Sequence, residues 1–403
     1  MSFASVGRRA LVILVALLVG LAGGGAVGLL AQGRPRILTP DIGPVPPDPP
    51  AVKPLTPDTL LAWVPSGLPP GLGGAVRQLP GVQHVVSVMS GTVWLTGSSA
   101  ADGTTVDRLP SGLAIPLEVA GANLRRYSSF LSPVDRSILP ALARGEAAIG
   151  TTSAALRQAG PGSTLVFGSR RIRVAAIVPD AVIGAHEVFV SPNTARALGV
   201  TRHRYLLIDP APGASRRAIT ARITRLLPAG ALLRVRGPGE TPYFRHGDAV
   251  LPQVRVKELF GEFAARPIEG GWLQMDPRWA AEHIQEARVP LLGRVVCNRA
   301  LIPQLRGALA EVAAEGLGHL IDPGDYGGCY AARFLNRNPQ AGLSHHTWGI
   351  AVDINVSTNQ YGRTPHQDAR VVAIFERWGF TWGGHWLLPD GMHFEFVRFA
   401  RGV

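Results

Sequence analysis

Lysine, cysteine and charge in general are scarce in this chain of 403 residues. Only Lys53 and Lys257 are lysines, so nearly all of the 40 basic residues are arginine. The two cysteines, Cys297 and Cys329, lack CxxC spacing, which argues against a thiolate metal site. Charged residues make up only 17% of the chain while 46% are hydrophobic, and this composition excludes a disordered protein. The length corresponds to about two domains.

An uncharged apolar run extends from Ala10 to Leu30, directly after Arg8 and Arg9. It is long enough for the roughly 20 residues that a bilayer-spanning helix needs. Residues 1–33 are therefore predicted to form a cytoplasmic N-terminus and a transmembrane signal-anchor, with a cleaved signal peptide as the alternative. Residues 34–57 hold nine prolines and are predicted to form a Pro-rich linker. The expected location is the cell membrane, single-pass, with the bulk of the chain on the extracytoplasmic side.

The formal net charge of +12 is distributed unevenly along the chain. Residues 1–57 carry +3, residues 58–267 carry +10 and residues 268–403 carry −1. The basic middle region is therefore expected to contact an anionic wall polymer or lipid head groups. Nucleic acid is not an expected partner, because the predicted topology faces outward and no groove-reading motif is present. In an oxidising compartment a disulfide between Cys297 and Cys329 is expected, with two buried thiols as the alternative.

Five of the eleven histidines fall within residues 345–393, in the strings LSHHTWGIAVDINV and WGFTWGGHWLLPDGMHFEFV. Both strings alternate like β-strands, which puts His393 and Glu395 on one face and leaves His345 exposed. A carboxylate such as Asp353 in an apolar strand is costly unless it is paired or bound to metal. His346, Asp353 and His393 would provide the three N and O ligands of a catalytic zinc site. Composition and spacing alone leave buried, hydrogen-bonded histidines as an equal alternative.

The string SHHTWGIAVD resembles the S-x-H-x-x-G-x-A-x-D signature of a family of zinc peptidoglycan peptidases. That family comprises D-alanyl-D-alanine carboxypeptidases and L-alanyl-D-glutamate endopeptidases, and DGMHFE resembles its second signature. The resemblance covers about residues 279–397, including YGGCYAARFLNRN before the first signature. It implies Zn²⁺ as cofactor and the peptidoglycan stem peptide as substrate.

Residue by residue, the resemblance implies that His346, Asp353 and His393 ligate zinc and that Asp390 is the general base. Arg333 matches a position that binds the substrate carboxylate, a role that the planar guanidinium fork suits, and Arg337 is its rival.

Three further assignments leave alternatives open. Ser344 orients the site or binds the peptide, or else belongs to a strand-entry turn. Glu395 is either an outer partner of a ligand histidine or a solvent-facing residue. His385 is a candidate for the cleft lining.

The predicted fold class is α+β, with an N-terminal transmembrane helix, an α+β middle domain and a C-terminal α+β zinc peptidase domain. The peptidase site is expected on an antiparallel sheet flanked by helices. The domains are predicted as 58–264, extracytoplasmic and of unknown role, and 265–403, a zinc D-Ala-D-Ala carboxypeptidase-like domain. The predicted function is a membrane-anchored extracytoplasmic zinc metallopeptidase hydrolysing stem peptides of the cell wall. The alternative is a catalytically silent receptor that binds wall peptide.

Overall fold

The computed structural model describes residues 58–400 of the chain. Its first part is built on one ten-stranded sheet with the strand order β10-β1-β9-β2-β4-β8-β5-β7-β6-β3. These strands are β1 Leu60–Trp63, β2 Val82–Leu95, β3 Gly97–Ser99, β4 Ile115–Ala122, β5 Ala147–Gly150, β6 Thr164–Phe167, β7 Arg170–Val178, β8 Val188–Val190, β9 His203–Pro210 and β10 Arg234–Arg236. Strand pairs β4–β8 and β5–β7 are parallel and the other neighbours are antiparallel.

Both faces of this sheet are covered. The helices of this part are α1 Leu72–Arg77, α2 Leu124–Tyr127, α3 Leu139–Ala143, α4 Thr151–Leu156, α5 Pro192–Ala197 and α6 Arg216–Leu226. On one face Leu60 and Ala62 of β1 join Ile219 and Ile223 of α6 in a buried cluster. The intervening Leu61 belongs to a different cluster on the other face. Strand β1 is consequently apolar at every position, as expected for a strand covered on both sides.

Strand β2 replaces two strands that the sequence pattern predicts, at residues 84–88 and 92–96. Gly91 between them does not end the strand, which continues for 14 residues. The irregularity appears instead as a register shift between Val88 and Met89 against β9. Pairing with β4 on the other side, from Val88 to Leu95, keeps the strand continuous.

The second part contains three small antiparallel sheets. Its strands are β11 Ala265–Ile268, β12 Trp272–Met275, β13 Ile284–Val289, β14 Gly293–Asn298, β15 Ala351–Asp353, β16 Phe380–Trp382 and β17 His393–Phe396, and its helices are α7 Gln253–Phe260, α8 Pro277–His283, α9 Ile302–Ala314 and α10 Ala369–Arg377. Short 3₁₀ helices include His345–Trp348 and Gly383–His385. Strands β15, β17 and β16, in that order, form the sheet that carries the candidate site.

Helix α7 packs against the core of this second part, although it precedes the predicted domain boundary at residue 265. Val256 and Phe260 of α7 belong to the buried cluster that also contains Phe396. The rings of Phe260 and Phe396 meet edge to face with centroids 4.8 Å apart. Trp348 donates a hydrogen bond from Nε1 to the carbonyl of Gly261 at 3.2 Å. The end of α7 is thereby fixed against both β17 and the His345–Trp348 turn.

Helix capping follows the sequence at α8 and departs from it at α10. Asp276 caps α8 by accepting a hydrogen bond from the amide of Arg278 at 2.9 Å, as an Asp-Pro pair predicts. The residue pattern from Thr364 to Gln367 is typical of a capping box, but that box does not begin α10. Asp368 caps it instead, accepting from the amide of Arg370 at 2.8 Å.

The predicted fold class is wrong. Within residues 58–400 the structure contains no helix that combines the length and the apolar character needed to cross a bilayer. The predicted span at residues 1–33 and the linker at 34–57 lie outside the described residues. The described chain is a mixed α/β structure dominated by the ten-stranded sheet. Local patterns locate strands, but pairings such as β4 with β8 depend on contacts between residues far apart in sequence, which local patterns do not contain.

Candidate metal centre

Two paired strands place Asp353 and His393 side by side. In the β15–β17 ladder Asp353 lies directly opposite His393, and Ala351 lies opposite Glu395. The backbone of Asp353 is also tied on its other side, since its amide donates to the carbonyl of Gly328 at 3.0 Å. Residues directly opposite each other on one face of an antiparallel pair are close enough for their side chains to interact. Strand pairing therefore defines two corners of the site.

A tight turn before β15 supplies the third corner, His346. The hydroxyl of Ser344 accepts a hydrogen bond from the amide of His346 at 3.3 Å and caps the His345–Trp348 turn. Gly349 ends the turn with φ of 66°. A Cβ at Gly349 would lie 2.7 Å from the amide nitrogen of Asn298, so only glycine fits there. The turn and the strand together aim His346 at the sheet.

The structure brings the three predicted metal ligands, His346, Asp353 and His393, together. Their donor atoms all lie within 4.8 Å of one another, and all three residues are buried. Nε2 of His346 lies 3.1 Å from Oδ2 of Asp353 and 3.2 Å from Nδ1 of His393. Nδ1 of His393 lies 3.0 Å from Oδ1 of Asp353. One oxygen and two imidazole nitrogens thus converge on one point.

Outer contacts orient both imidazoles. Nδ1 of His346 donates to the carbonyl of Cys329 at 2.8 Å, which leaves Nε2 free to face Asp353. Nε2 of His393 lies 3.3 Å from Oε2 of Glu395, which leaves Nδ1 facing the same point. Glu395 is 2% exposed, so the structure places it behind His393 and away from solvent. Such outer partners set the tautomer and the ring orientation of metal-ligating histidines.

Electrostatics within the cluster favour a cation. Burial opposes ionisation of Asp353, but the adjacent His346 and His393 outweigh it and hold the pKa of Asp353 well below its usual range. Burial also opposes protonation of His393, yet its hydrogen bonds to Asp353 and Glu395 raise its pKa to about 10. Two carboxylates therefore keep positive charge at this position. A metal ion bound here would satisfy them in place of the imidazole proton.

Asp390 lies in the loop between β16 and β17, next to these ligands. Its amide donates to the carbonyl of Gly383 at 2.9 Å, and its own carbonyl accepts from the amide of His393 at 3.1 Å. Burial, opposed by His393, raises the pKa of the Asp390 carboxyl. Its Oδ1 is buried and has no hydrogen-bond partner among the described residues. A buried carboxylate oxygen without a partner is available to accept a proton.

The guanidinium groups of the two candidate substrate-binding arginines, Arg333 and Arg337, lie in different surroundings. The positive charge of Arg333 slightly offsets the burial that raises the pKa of Asp390, so its guanidinium lies within electrostatic range of that carboxyl. The backbone of Arg333 is held by the hydroxyl of Thr347, which donates to the Arg333 carbonyl at 2.9 Å. The guanidinium of Arg337 instead lies 4.8 Å from the centroid of the Trp272 ring. Arg333 is thus the better placed of the two to meet a substrate carboxylate.

The structure corrects the predicted exposure of His345 and the predicted position of His385, and it adds Tyr326 to the residues near the site. His345 is 9% exposed, with Nδ1 2.8 Å from Oε2 of Glu395, because its segment is a 3₁₀ turn and strand alternation does not apply. His385 is exposed and does not line the centre.

Tyr326, which sequence reasoning missed, has a buried hydroxyl without a partner within residues 58–400. Burial and the charge of Asp353 raise the pKa of Tyr326. The YGGCY string that contains it was the available signal.

A disulfide between Cys297 and Cys329 supports the ligand turn. It joins β14 to the segment before the site, and its two ends are 32 residues apart in sequence. The carbonyl of Cys329 is the group that accepts the hydrogen bond from His346. The disulfide therefore anchors the outer partner of one metal ligand.

Replacing Cys297 and Cys329 together by alanine is expected to lower the free energy of unfolding by about 3 kcal/mol, because the loop is no longer closed in the unfolded chain. Zinc affinity should also fall, because the Cys329 carbonyl then holds His346 less firmly. Urea unfolding and zinc competition with a chelator measure the two effects. Reduced wild-type protein should match the double variant. Equal unfolding free energies for reduced and oxidised wild type would contradict the stabilising role.

Comparison with solved structures finds partial similarity to two domains. The periplasmic region of MacB from Actinobacillus actinomycetemcomitans is 12% identical, with a TM-score of 0.30, over 44% of this chain and 88% of that one. The extracellular domain of the noncanonic ABC-type transporter YknZ from Gram-positive bacteria is 13% identical, also with a TM-score of 0.30, over 42% of this chain and 92% of that one. No curated protein matches the chain.

The family comparison concerns the C-terminal segment. Residues 337–396 match the model of a family described as D-alanyl-D-alanine carboxypeptidase. This segment contains His346, Asp353, Asp390 and His393, and the match confirms the resemblance that the two sequence signatures indicated. Residues 337–396 of this chain are therefore similar to the D-alanyl-D-alanine carboxypeptidase family.

Proposed function

We propose that this protein is a zinc-dependent peptidase that hydrolyses a peptide bond in the peptidoglycan stem, as a D-alanyl-D-alanine carboxypeptidase or an L-alanyl-D-glutamate endopeptidase. The observation that carries the proposal is the convergence of His346, Asp353 and His393 within 4.8 Å, with Asp390 in the adjoining loop. This convergence lies inside the segment that matches the family.

The donor set fits zinc. Two imidazole nitrogens and one carboxylate oxygen are ligands typical of catalytic zinc sites, which leave a further position open. Both imidazoles are oriented from behind, by the Cys329 carbonyl and by Glu395. When bound, zinc supplies Lewis acidity toward the scissile carbonyl and lowers the pKa of water.

The protein groups then have separate tasks in direct hydrolysis by water. Asp390 accepts a proton from the water as its oxygen adds to the scissile carbonyl carbon, and returns it to the nitrogen of the leaving amine as the C–N bond breaks; its partner-free Oδ1 suits this role. Arg333 binds the carboxylate of the stem peptide through its two-pronged guanidinium. Ser344 is 2% exposed and caps the ligand turn, so we assign it to orienting His346. No covalent intermediate with the protein is needed.

Digestion of purified muropeptides with the full-length protein tests this function. Metal content is measured first, and products are then identified by mass spectrometry with and without a chelator. Zinc-dependent release of D-alanine or of L-alanyl-terminated fragments supports the proposal. Stoichiometric zinc without turnover of any stem peptide would contradict it and would favour a receptor that only binds wall peptide.

We also propose that the protein works outside the cytoplasm and that residues 58–267 contact an anionic partner. The disulfide supports the first point, since such bonds persist in oxidising compartments. The net charge of +10 supports the second. Arg170, Arg171 and Arg173 of β7 are exposed and form no ion pair with any described residue. They present concentrated positive charge on one hairpin.

Binding to isolated wall sacculi and to anionic vesicles at low salt tests this second proposal. A variant with Arg170, Arg171 and Arg173 changed to glutamine should bind more weakly, and added salt should weaken wild-type binding through screening. Binding that is unaffected by either change would contradict an electrostatic contact at this hairpin.

A further inference from the structure

The loop that carries Asp390 is closed on itself at its base. This active-site loop, residues 383–390, is part of the segment 383–392 that joins β16 to β17. The carbonyl of Gly383 accepts from the amide of Trp386 at 3.0 Å and from the amide of Asp390 at 2.9 Å. The Trp386 ring lies 5.1 Å from the His393 ring, measured between centroids. Movement of the loop would therefore shift Asp390 and Trp386 together relative to the ligands.

The tip of this loop is held by the first part of the chain. The amide of Leu387 donates a hydrogen bond to Oδ2 of Asp248 at 2.8 Å. The Leu387 side chain packs against a core cluster of the large sheet, as does Phe244. One polar contact and one apolar contact thus join the active-site loop to residues more than a hundred positions earlier in sequence.

Asp248 is itself rigidly held. Its Oδ1 lies 2.6 Å from Nη1 of Arg234 and 2.8 Å from Nη2 of Arg236, both in β10. Arg236 also donates to the carbonyl of Gly247 at 2.6 Å. The Asp248 side chain is 8% exposed. Two charge-assisted bonds on one oxygen leave the other oxygen directed at the Leu387 amide.

We propose that Asp248 is a positioning residue that holds the active-site loop, and with it Asp390, in register with the metal ligands. The inference rests on the proposed peptidase function. The Asp390 Oδ1 has no hydrogen-bond partner among residues 58–400, so the backbone of its loop determines where that carboxylate lies. Misplacement of a catalytic group by about 1 Å can cost up to about a hundredfold in rate.

Changing Asp248 to alanine in the full-length protein is expected to lower kcat for stem-peptide hydrolysis by about tenfold to a hundredfold. KM and bound zinc should change little, because neither Arg333 nor the ligands touch Asp248. Asp248→Asn keeps one oxygen acceptor but loses the charge that pairs with Arg234 and Arg236, so its kcat should lie between those of wild type and Asp248→Ala. The matched control is Glu240→Ala, which removes an exposed carboxylate paired with Arg216 and leaves the loop untouched.

Hydrogen exchange followed by mass spectrometry gives a readout independent of activity. Peptides covering residues 383–390 should exchange faster in Asp248→Ala than in wild type, and at the wild-type rate in Glu240→Ala. If Asp248→Ala does not fold, Leu387→Pro removes the amide donor while keeping Asp248 and its arginines, and should give the same two changes.

Wild-type kcat together with wild-type exchange at residues 383–390 in these variants would overturn the proposal. Failure of the proposed function has a different signature, since wild-type protein would then hydrolyse no stem peptide. In that case faster loop exchange in Asp248→Ala would still support the positioning contact, and unchanged exchange would overturn it.

Discussion

Changing Asp353 to alanine is expected to remove the metal from the protein and to abolish detectable peptidase activity. Asp353 contributes the single carboxylate of the ligand set and lies within 3.1 Å of both imidazoles. Outer partners of metal ligands alone contribute about 10–100-fold in affinity, so loss of a ligand should cost more than about a hundredfold. A metal that contributes several kcal/mol to catalysis corresponds to at least about a thousandfold in kcat/KM.

Zinc content after dialysis and kcat/KM on a defined stem peptide measure these two effects. Asp353→Asn is the matched variant, because it keeps the shape and an acceptor oxygen for His393 but lacks the charge. It should fold and bind zinc weakly. Glu282→Ala, which removes an exposed carboxylate of α8, should retain zinc and activity. Full zinc occupancy in Asp353→Ala would show that the metal binds elsewhere.

Changing Asp390 to alanine should separate metal binding from catalysis. We expect kcat to fall by about 10²–10⁴-fold, the usual contribution of a positioned general base. Zinc should stay bound, since His346, Asp353 and His393 are unchanged. Steady-state kinetics together with zinc analysis of the same preparation measures both quantities.

Two further variants sharpen the assignment of Asp390. Asp390→Asn keeps the size of the side chain but cannot accept the proton, so it should be as inactive as Asp390→Ala. Asp390→Glu keeps the carboxylate but moves it by one methylene, and should retain part of the activity. Wild-type kcat in Asp390→Ala would exclude it as the base and turn attention to Glu395, the other carboxylate beside the ligands.

The candidate metal centre could largely be predicted from the sequence, because its residues fall in two short signatures. The spacing from His346 to Asp353 spans a turn and a strand, so both ligands come from one local structure. Gly349 in the signature is explained by its left-handed φ and its close approach to Asn298. The prediction that His345 is exposed was wrong, because strand alternation does not apply to a residue that lies in a turn.

Features that depend on contacts between residues far apart in sequence could not be predicted from the sequence. The ten-stranded order of the large sheet is one, since nothing local indicates that β1 lies between β9 and β10. The contact between Asp248 and Leu387 is another, because the two residues are separated by 139 positions. Asp248 appears in the sequence only as one acidic residue in a basic region. Its importance comes from the two arginines of β10 and from the loop that it meets.

The hydrogen bond from His346 to the carbonyl of Cys329 connects the candidate metal centre to the oxidation state of the two cysteines. Before the bond between Cys297 and Cys329 forms, the carbonyl that orients His346 is held by neighbouring backbone hydrogen bonds alone, including that from the amide of Ala331 to the carbonyl of His346. We expect formation of the disulfide to hold His346 more firmly and so to strengthen metal binding. Under the proposed function, full peptidase activity would then develop only after the two thiols are oxidised.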